Sequence, residues 1–368
     1  ILEREAPRPV LVARMLADAF LVLFPYKGKG ELVTYCEAYS RALNGFIVSR
    51  EQNYQLELRS GICCVEDSDA SDINSLLDRA NMALKTIKVK GAAQWKFYDH
   101  TMRDKLLREK DLEIRMEKAL ADGEFLVYIQ PKYWVGTRAL AGGEALVRWK
   151  SPDQGFLSPG EFIPLFEKNR FIVKLDQFMF TSVCGLLRQW LDAGIEPRPL
   201  SVNVSRMQFH TPDFVERYIR IKSQYAIPDG LLELEFTESI FFDNVALLSS
   251  AVHELRRAGI KCSIDDFGAG YSSLNVLKAL PVSVLKLDGM FFRTAKDDEQ
   301  AKIVIRNIMR MAGELKMATV AEGVETHEQV AFLETTGCDI IQGYVFARPM
   351  PAAEFTELLA GEGGHAER

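Results

Sequence analysis

Two adjacent carboxylates, Asp265 and Asp266, end a short apolar run at 261–265 and are followed at once by a turn rich in glycine and serine. Two unit charges about 4 Å apart repel by about 1 kcal/mol in water and by about 4 kcal/mol at an effective dielectric constant near 20. If both side chains turn inward together, a positive charge must lie between them. The alternative is a solvated Asp-Asp turn, in which a side chain bonds to the nearby backbone. The choice depends on which other polar residues can reach the same place.

Polar residues also lie at or near the ends of other short apolar runs: Glu144, Asn203, Glu235, Lys286, Glu322 and Gln342. Each one alone has an ordinary explanation, as a helix cap or as half of a buried ion pair. If they converge with the two aspartates, they offer four or five carboxylates and an amide oxygen, without histidine. Such oxygen ligands indicate two hard divalent cations, Mg²⁺ or Mn²⁺. Two metal ions suit in-line displacement at phosphorus, because they stabilise the attacking and leaving oxygens together.

The pattern after residue 124 explains how these residues could converge. Strand-like segments alternate with helical ones, and they fall at 125–130, 140–148, 200–204, 231–237, 261–265, 283–288, 317–322 and 338–343. Helical spacing of apolar residues separates most of them, at 159–169, 175–193, 212–225, 245–258, 297–316 and 327–336. Eight strands alternating with helices predict an α/β fold, a (β/α)8 TIM-like barrel, with a doubly wound open sheet as the alternative. In a barrel the active site forms at the carboxyl ends of the strands.

Composition limits the class of protein and its partners. The 368 residues favour two or three domains, and the net charge of -6 argues against a nucleic-acid polymer as the main partner. No apolar run approaches the roughly 18 residues that span a bilayer. Six cysteines without C-x-x-C pairs are typical of reduced thiols in a cytoplasmic protein. Because the chain starts at Ile1, a sensor or membrane tether upstream stays open.

Three segments are predicted along the chain: a small α/β unit at 1–100, a connecting helix at 101–122 and the barrel at 123–362. In the first segment, strand patterns at 19–25, 54–65 and 95–98 alternate with helical patterns at 31–43 and 72–90, and Asp72 is the expected N-cap of the second helix. The connecting segment combines apolar residues with dense charge and ends at Asp122-Gly123, a typical helix stop.

The first segment resembles the second half of a GGDEF domain, the family that makes cyclic di-GMP from two GTP. The motifs that carry the resemblance are S-G-I-C-C-V-E at 60–66, L-L-D-R-A-N-M-A-L-K at 76–85 and K-G-A-A-Q-W-K-F-Y at 90–98. The signature turn falls at 16–20, where Leu16 and Ala17 replace the two glycines and Ala19 replaces the catalytic glutamate. An inhibitory R-x-x-D motif at 7–10 is also missing. We therefore expect a catalytically inactive, regulatory remnant, with residual GTP binding left open.

The barrel segment resembles the EAL domain, the cyclic di-GMP phosphodiesterase family. The matching motifs are E-A-L-V-R-W at 144–149, Q-P-K at 130–132, F-I-P-L at 162–165, N-V-S at 203–205, E-F-T-E-S at 235–239, D-D-F-G-A-G-Y-S-S-L at 265–274, K-L-D at 286–288, A-E-G-V-E-T at 321–326 and Q-G-Y at 342–344. The sequence departs from the family at none of the catalytic positions. The implied reaction is hydrolysis of cyclic di-GMP to linear pGpG, and the implied assembly is a homodimer through this domain.

The resemblance also implies a role for each residue. The metal ligands would be Glu144, Asn203, Glu235, Asp265, Asp266 and Glu322, with Asp265 bridging two Mg²⁺ or Mn²⁺ ions. Lys286 and Glu322 would position and deprotonate the attacking water, with Glu144 as a further catalytic residue. Gln130, Arg148 and Gln342 would contact substrate. Glu238 would anchor the loop at 267–274 rather than touch substrate.

Two alternatives to this enzyme stay open. One is a receptor that binds cyclic di-GMP without cleaving it, although receptor-type relatives usually lose metal ligands or the D-F-G loop. The other is a two-metal barrel hydrolase that acts on a different phosphodiester, since geometry indicates the chemistry but not the base.

Overall fold

The computed structural model describes residues 9–48, 57–65, 72–87, 94–237, 245–268, 281–294 and 298–363. The chain divides into two compact units, Ile1–Asp111 and Leu112–Arg368. The division falls inside helix α3, which runs from His100 to Ala121. The domain limits at 100 and 122 stay predictions. Within the part of the chain that is described, each helix is too short or too polar to span a bilayer.

The first unit contains two small strand pairs and two helices before α3. Its elements are β1 (Leu11–Leu16), β2 (Ala19–Leu23), α1 (Lys29–Val48), β3 (Ser60–Ile62), α2 (Ile73–Lys85) and β4 (Trp95–Phe97). Strands β1 and β2 are antiparallel and β3 and β4 are parallel. Leu16 pairs with Ala19, so the signature-turn residues form a hairpin turn. Asp72 caps α2 as expected, accepting the Asn74 N–H at 3.1 Å.

The second unit contains ten strands and eight helices within its described residues. The strands are β5 (Phe125–Trp134), β6 (Leu140–Ser151), β7 (Gly155–Leu157), β8 (Leu200–Asn203), β9 (Leu232–Thr237), β10 (Lys261–Phe267), β11 (Val284–Leu287), β12 (Ala318–Ala321), β13 (Ile340–Ile341) and β14 (Met350–Pro351). The helices are α4 (Pro159–Lys168), α5 (Ile172–Asp192), α6 (Phe214–Gln224), α7 (Val245–Arg257), α8 (Met290–Thr294), α9 (Glu299–Glu314), α10 (His327–Glu334) and α11 (Ala352–Gly363), with a 3₁₀ turn at Arg206–His210.

Eight of these strands close into a barrel, which confirms the predicted fold class. Their order around the ring is β5-β6-β8-β9-β10-β11-β12-β13, and β5 closes the ring by pairing with both β6 and β13. Strand β5 runs antiparallel to both neighbours, whereas the other neighbours around the ring are parallel. The connection at 135–139 explains this reversal, because a parallel pair needs a crossover of about a dozen residues or more.

Apolar side chains pack between the barrel and its helices, whereas many inward-facing positions are polar. Trp149 of β6 is fully buried among aromatic rings, including those of Phe125, Phe162 and Phe166. Because side chains alternate along a strand, the opposite faces of the same strands turn into the barrel. The buried polar residues there include Lys132, Ser201, Glu233, Glu235, Ser263 and Lys286. The barrel strands therefore turn buried polar and charged side chains into the ring and apolar side chains outward against the helices.

Candidate active site

The ammonium group of Lys286 lies at the centre of the polar interior. Its Nζ is 2.5 Å from Glu235 Oε2, 2.6 Å from Glu322 Oε1 and 2.9 Å from Asp265 Oδ1. Glu144 Oε2 lies 3.5 Å away. These residues come from β6, β9, β10 and β11 and from the position after β12, at the carboxyl ends where the active site was expected. The structure therefore brings together four of the predicted carboxylates around one lysine.

One ammonium group cannot balance four carboxylates in a buried site. Burial raises the pKa of Asp265 and raises that of Glu322 well above the usual value, with the neighbouring carboxylates adding to the effect and Lys286 opposing it. Burial alone would lower the pKa of Lys286, but the surrounding carboxylates raise it well above the ordinary lysine value. The site thus has a permanent cation and an excess of negative charge.

A second buried lysine, Lys132 of β5, contacts the same cluster through Glu235. Its Nζ is 2.9 Å from Glu235 Oε1 and donates to Ser201 Oγ at 2.8 Å. Burial alone would raise the pKa of Glu235, but Lys132 and Lys286 outweigh it and bring that pKa to about 2. The sequence analysis did not single out Lys132 as a site residue. Its position two residues after Gln130 was the available signal, because the two side chains share one face of the strand.

Two amides orient the carboxylate of Glu144, and a third contacts one of them. Asn203 Nδ2 donates to Glu144 Oε1 at 2.6 Å, and Gln342 Nε2 donates to Glu144 Oε2 at 2.6 Å. The same Gln342 nitrogen lies 3.2 Å from Gln130 Oε1. Among the described residues, the buried Oε1 of Gln342 accepts no hydrogen bond. Gln130, Asn203 and Gln342 thus lie together at the site, as the sequence indicated, and one buried oxygen still faces it without a donor.

Strand β10 carries a bulge that turns both of its aspartates toward the site. Ile264 pairs with Leu285, but Phe267 pairs with Leu287, so β10 has one extra residue over this interval. Successive side chains of a regular strand point to opposite faces, and a bulge breaks that rule. Asp266 takes a left-handed conformation with φ of 53°, which aspartate tolerates better than most residues. The bulge is the reason why two adjacent residues can serve one site.

The acidic cluster fits a divalent metal ion. Oxygen atoms of Asp265, Asp266 and Glu322 lie within 4.8 Å of one another. Asp265 Oδ1 and Glu322 Oε1 are buried and, within the described part of the chain, contact Lys286 as ion pairs without hydrogen-bond geometry. Hard divalent cations take carboxylate and amide oxygens, and the excess negative charge of the cluster requires further positive charge. The donor set therefore fits the metals that the sequence predicted.

A cavity of about 300 Å³ opens beside these residues. It is lined by Gln130, Glu144, Leu146, Glu322, Gly323, Glu325, Gln342, Gly343 and Tyr344. Gly343 has no room for a larger side chain, because a Cβ there would lie 2.0 Å from the Val324 carbonyl oxygen. Arg148 is not among the lining residues; it lies four positions beyond Glu144 on β6, with its guanidinium carbon 5.7 Å from the ring centre of Tyr128. Glu238, the predicted loop anchor, lies outside the described residues.

A buried aspartate on α5 holds the segment that carries Asn203. Asp176 Oδ2 accepts the Ser205 N–H at 3.0 Å and Gln208 Nε2 at 3.2 Å. Burial raises the pKa of Asp176 to about 7, although both hydrogen bonds favour its ionised form. The segment after β8 is thus tied to α5 through Asp176, and Glu167 of α4 accepts the Ser205 hydroxyl at 3.0 Å.

We expect Asp176 to make the free energy of unfolding fall as the pH rises from about 4 to about 7. The folded state binds the proton of Asp176 more tightly than the unfolded state does, so stability is greatest on the acid side of this interval. The Asp176 contribution to the slope approaches about 1.4 kcal/mol per pH unit. Asp176→Asn keeps an oxygen for both donors and should flatten this part of the profile. Urea unfolding followed by tryptophan fluorescence at several pH values measures it, and identical slopes in both proteins would contradict the assignment.

Comparison with known proteins identifies the family. Residues 114–349 match the family described as EAL domain. The chain belongs to the EAL domain family. The EAL match spans the closed barrel and its site residues, while residues 2–94 match the family described as diguanylate cyclase, GGDEF domain. Both resemblances stated from the sequence are thereby confirmed.

Two relatives of this EAL protein from Pseudomonas aeruginosa match nearly the whole chain. The bifunctional diguanylate cyclase/cyclic di-GMP phosphodiesterase MucR is 30% identical over 350 residues, which cover 95% of this chain and 51% of MucR. The cyclic di-GMP phosphodiesterase NbdA is 31% identical and is matched over 95% of this chain and 44% of its own length. The chain thus spans about half the length of these curated relatives.

A solved structure of the PaMucR phosphodiesterase in complex with c-di-GMP shares the fold of this EAL domain. The two are 35% identical with a TM-score of 0.63, over 67% of this chain and 99% of the solved one.

Proposed function

We propose that this chain hydrolyses one phosphodiester of cyclic di-GMP to linear pGpG, using two divalent cations. The convergence of Glu144, Glu235, Asp265 and Glu322 around Lys286 carries the proposal. The names of the relatives MucR and NbdA support cyclic di-GMP as the substrate. The complete set of acidic and amide side chains favours turnover over a receptor that binds without cleaving.

The metal ligands would be Glu144, Asn203, Glu235, Asp265, Asp266 and Glu322. When bound, two Mg²⁺ or Mn²⁺ ions supply positive charge to the phosphoryl oxygens and lower the pKa of the attacking water. Asn203 and Gln342 hold the Glu144 carboxylate in place through bonds of 2.6 Å each. Lys132 Nζ pairs with Oε1 of Glu235, whereas Lys286 Nζ pairs with Oε2 of the same carboxylate.

The reaction also needs a base and a fixed positive charge from the protein itself. Glu322 lines the cavity with its Oε1 2.6 Å from Lys286 Nζ, and we assign to it the role of accepting the proton of the attacking water. Lys286 Nζ contributes positive charge where negative charge develops on phosphorus oxygens. Gln130, Arg148 and Gln342 are the proposed substrate contacts, with the Arg148 fork suited to a phosphate or a guanine edge.

The test of this function is a hydrolysis assay with Mg²⁺ or Mn²⁺ and a panel of nucleotides. We expect conversion of cyclic di-GMP to pGpG, inhibition by chelation and weak competition by other nucleotides. Tight binding without turnover in excess of both metals would instead establish a receptor. Turnover of another phosphodiester that cyclic di-GMP does not inhibit would establish a different hydrolase.

The GGDEF-like unit is proposed to be an inactive regulatory module, and we expect no cyclic di-GMP from GTP. Leu16 and Ala17 occupy the positions of the two signature glycines at the hairpin turn, and Ala19 supplies no carboxylate. Incubation with GTP in Mg²⁺, with the phosphodiesterase blocked by Glu322→Gln, measures the synthesis directly. Any accumulation of cyclic di-GMP would contradict this assignment. A change in hydrolysis on adding GTP would show that the unit binds the nucleotide.

We also propose a cytoplasmic location and a homodimer formed through the barrel unit. All six cysteines lie in the described residues and are free thiols, which suits a reducing compartment. The dimer rests on the family resemblance and is tested by sedimentation of the purified chain.

A further inference from the structure

A three-stranded ribbon extends from the barrel beyond the cavity. Strand β6 pairs with β8 only from Gly143 to Ala145, but it continues to Ser151, paired with β5 and β7. At about 3.3 Å per residue, the part of β6 after Ala145 extends roughly 20 Å past the last residue that pairs with β8. Because β5 is reversed, its first residues accompany the last residues of β6 along this ribbon. The ribbon therefore rises from the carboxyl end of the barrel, where the site lies.

The two faces of the ribbon differ in what covers them. One face carries Phe125, Val147 and Trp149, which pack against Phe162 and Phe166 of α4. The other face carries aromatic and basic side chains, and it has no such layer among the residues that the structure describes. Phe156 on this side is 54% exposed, although it is a large aromatic residue. Leu146 belongs to the same side and lines the cavity, so this face continues the wall of the site.

Four residues on this face form a continuous array that we term the cation–aromatic ridge: Tyr128, Arg148, Lys150 and Phe156. The Arg148 guanidinium carbon is 5.7 Å from the Tyr128 ring centre, and the Tyr128 and Phe156 rings are 6.0 Å apart at 79°. Lys150 Nζ lies 6.0 Å from the Phe156 ring centre. No carboxylate of the described residues pairs with either cation. The ridge thus presents two rings and two uncompensated positive charges next to the cavity.

We propose that the cation–aromatic ridge is a subsite for the half of the cyclic dinucleotide that lies away from the metals. This inference rests on the proposed function, and it adds Tyr128, Lys150 and Phe156 to the substrate contact already proposed for Arg148. A cavity of about 300 Å³ is at the small end of the range for drug-sized ligands, about 300–1,000 Å³. A cyclic dinucleotide carries two bases, two sugars and two phosphates, so part of it must lie beyond the cavity. Exposed rings stack with a base and the cations attract a phosphate, which is the complementary chemistry.

The ridge should supply affinity rather than chemistry, because it lies beyond the carboxylate cluster. A stacked base is worth about 1–3 kcal/mol by alanine substitution, or roughly 5- to 150-fold in affinity. We therefore expect Phe156→Ala to raise the KM for cyclic di-GMP about ten-fold with kcat within about two-fold of wild type. Phe156→Trp keeps a ring and should restore the KM. Trp134→Ala, which removes an exposed aromatic residue from the far end of β5, is the matched control and should leave the KM unchanged.

The cationic part is tested by salt dependence. Salt screens charge attraction, so the KM of the wild type should increase with ionic strength. Lys150→Met should raise the KM and make it increase less with ionic strength. Lys150→Arg keeps the charge and should show the wild-type KM and the wild-type salt dependence. Mn²⁺ affinity, measured by electron paramagnetic resonance, should be the same in all these variants. A wild-type KM in Phe156→Ala, or an unaltered salt dependence of the KM in Lys150→Met, would overturn the proposal that the ridge binds substrate. Absence of cyclic di-GMP turnover in the wild type would instead overturn the proposed function.

Discussion

Lys286→Met is expected to lower turnover strongly and to destabilise the metal-free barrel by about 3–5 kcal/mol, the cost of breaking a buried ion pair. The lysine is fully buried and its Nζ contacts four carboxylates, which would be left without their nearest positive charge. Loss of a fixed charge that stabilises the transition state should lower kcat by about 10²–10³-fold. Added Mn²⁺ should restore part of the stability, since the metal can bind the same oxygens.

Lys222→Met is the matched control for this variant. Lys222 of α6 is also buried; it pairs with Asp229 and donates to the Ala258 carbonyl at 2.7 Å, away from the site. Its replacement should cost stability that Mn²⁺ does not restore, with turnover kept. Urea unfolding across a series of Mn²⁺ concentrations compares the two variants. An equal stability loss for Lys286→Met at every concentration would show that lysine and metals do not share oxygens.

Asp265→Asn is expected to lose turnover and to gain stability. Burial and the neighbouring carboxylates raise the pKa of Asp265, so the ionised form is less favourable in the folded protein than in the unfolded chain. A neutral isostere removes that cost, and each kcal/mol gained raises Tm by about 2–4 °C in a domain of this size. The same change removes a metal ligand and should lower kcat by at least about 10²–10³-fold.

Calorimetry with and without Mg²⁺ separates the two effects. Wild type should be stabilised by Mg²⁺, because a ligand that binds the folded state raises Tm, and Asp265→Asn should respond less. Asp339→Ala provides the control, because it removes the oxygen that accepts the Thr319 N–H and hydroxyl at 2.8 and 2.9 Å, outside the acidic cluster. That variant should lose stability and keep turnover. Full activity in Asp265→Asn would refute the proposed metal site.

Local patterns in the sequence were sufficient to predict the barrel strands. The polar residue at the end of each apolar run was equally readable, because the carboxyl ends of barrel strands share one face of the fold. Asn203 and Gln342 lie 2.6 Å from the Glu144 carboxylate although they are distant in the chain. Periodicity could predict this convergence because closure of the ring determines it.

Other features depend on tertiary contacts that periodicity does not report. The one-residue bulge in β10 turns Asp265 and Asp266 to the same site, and only pairing with β11 reveals it. In the sequence Lys132 has the pattern of an ordinary strand residue. Its role depends on its contacts with Ser201 of β8 and Glu235 of β9, which only the fold brings beside it. The central position of Lys286 likewise follows from distances across the ring. The direction of β5 was, in contrast, readable from its short connection to β6.

The charge imbalance around Lys286 has an evolutionary consequence. Because burial and mutual repulsion oppose ionisation of Asp265 and Glu322, natural variants that lose one of these carboxylates should fold at least as well as this chain. Drift in a lineage without selection for turnover would therefore favour inactive barrels that keep their cavity. The full acidic set should therefore be retained only where the proposed turnover is under selection.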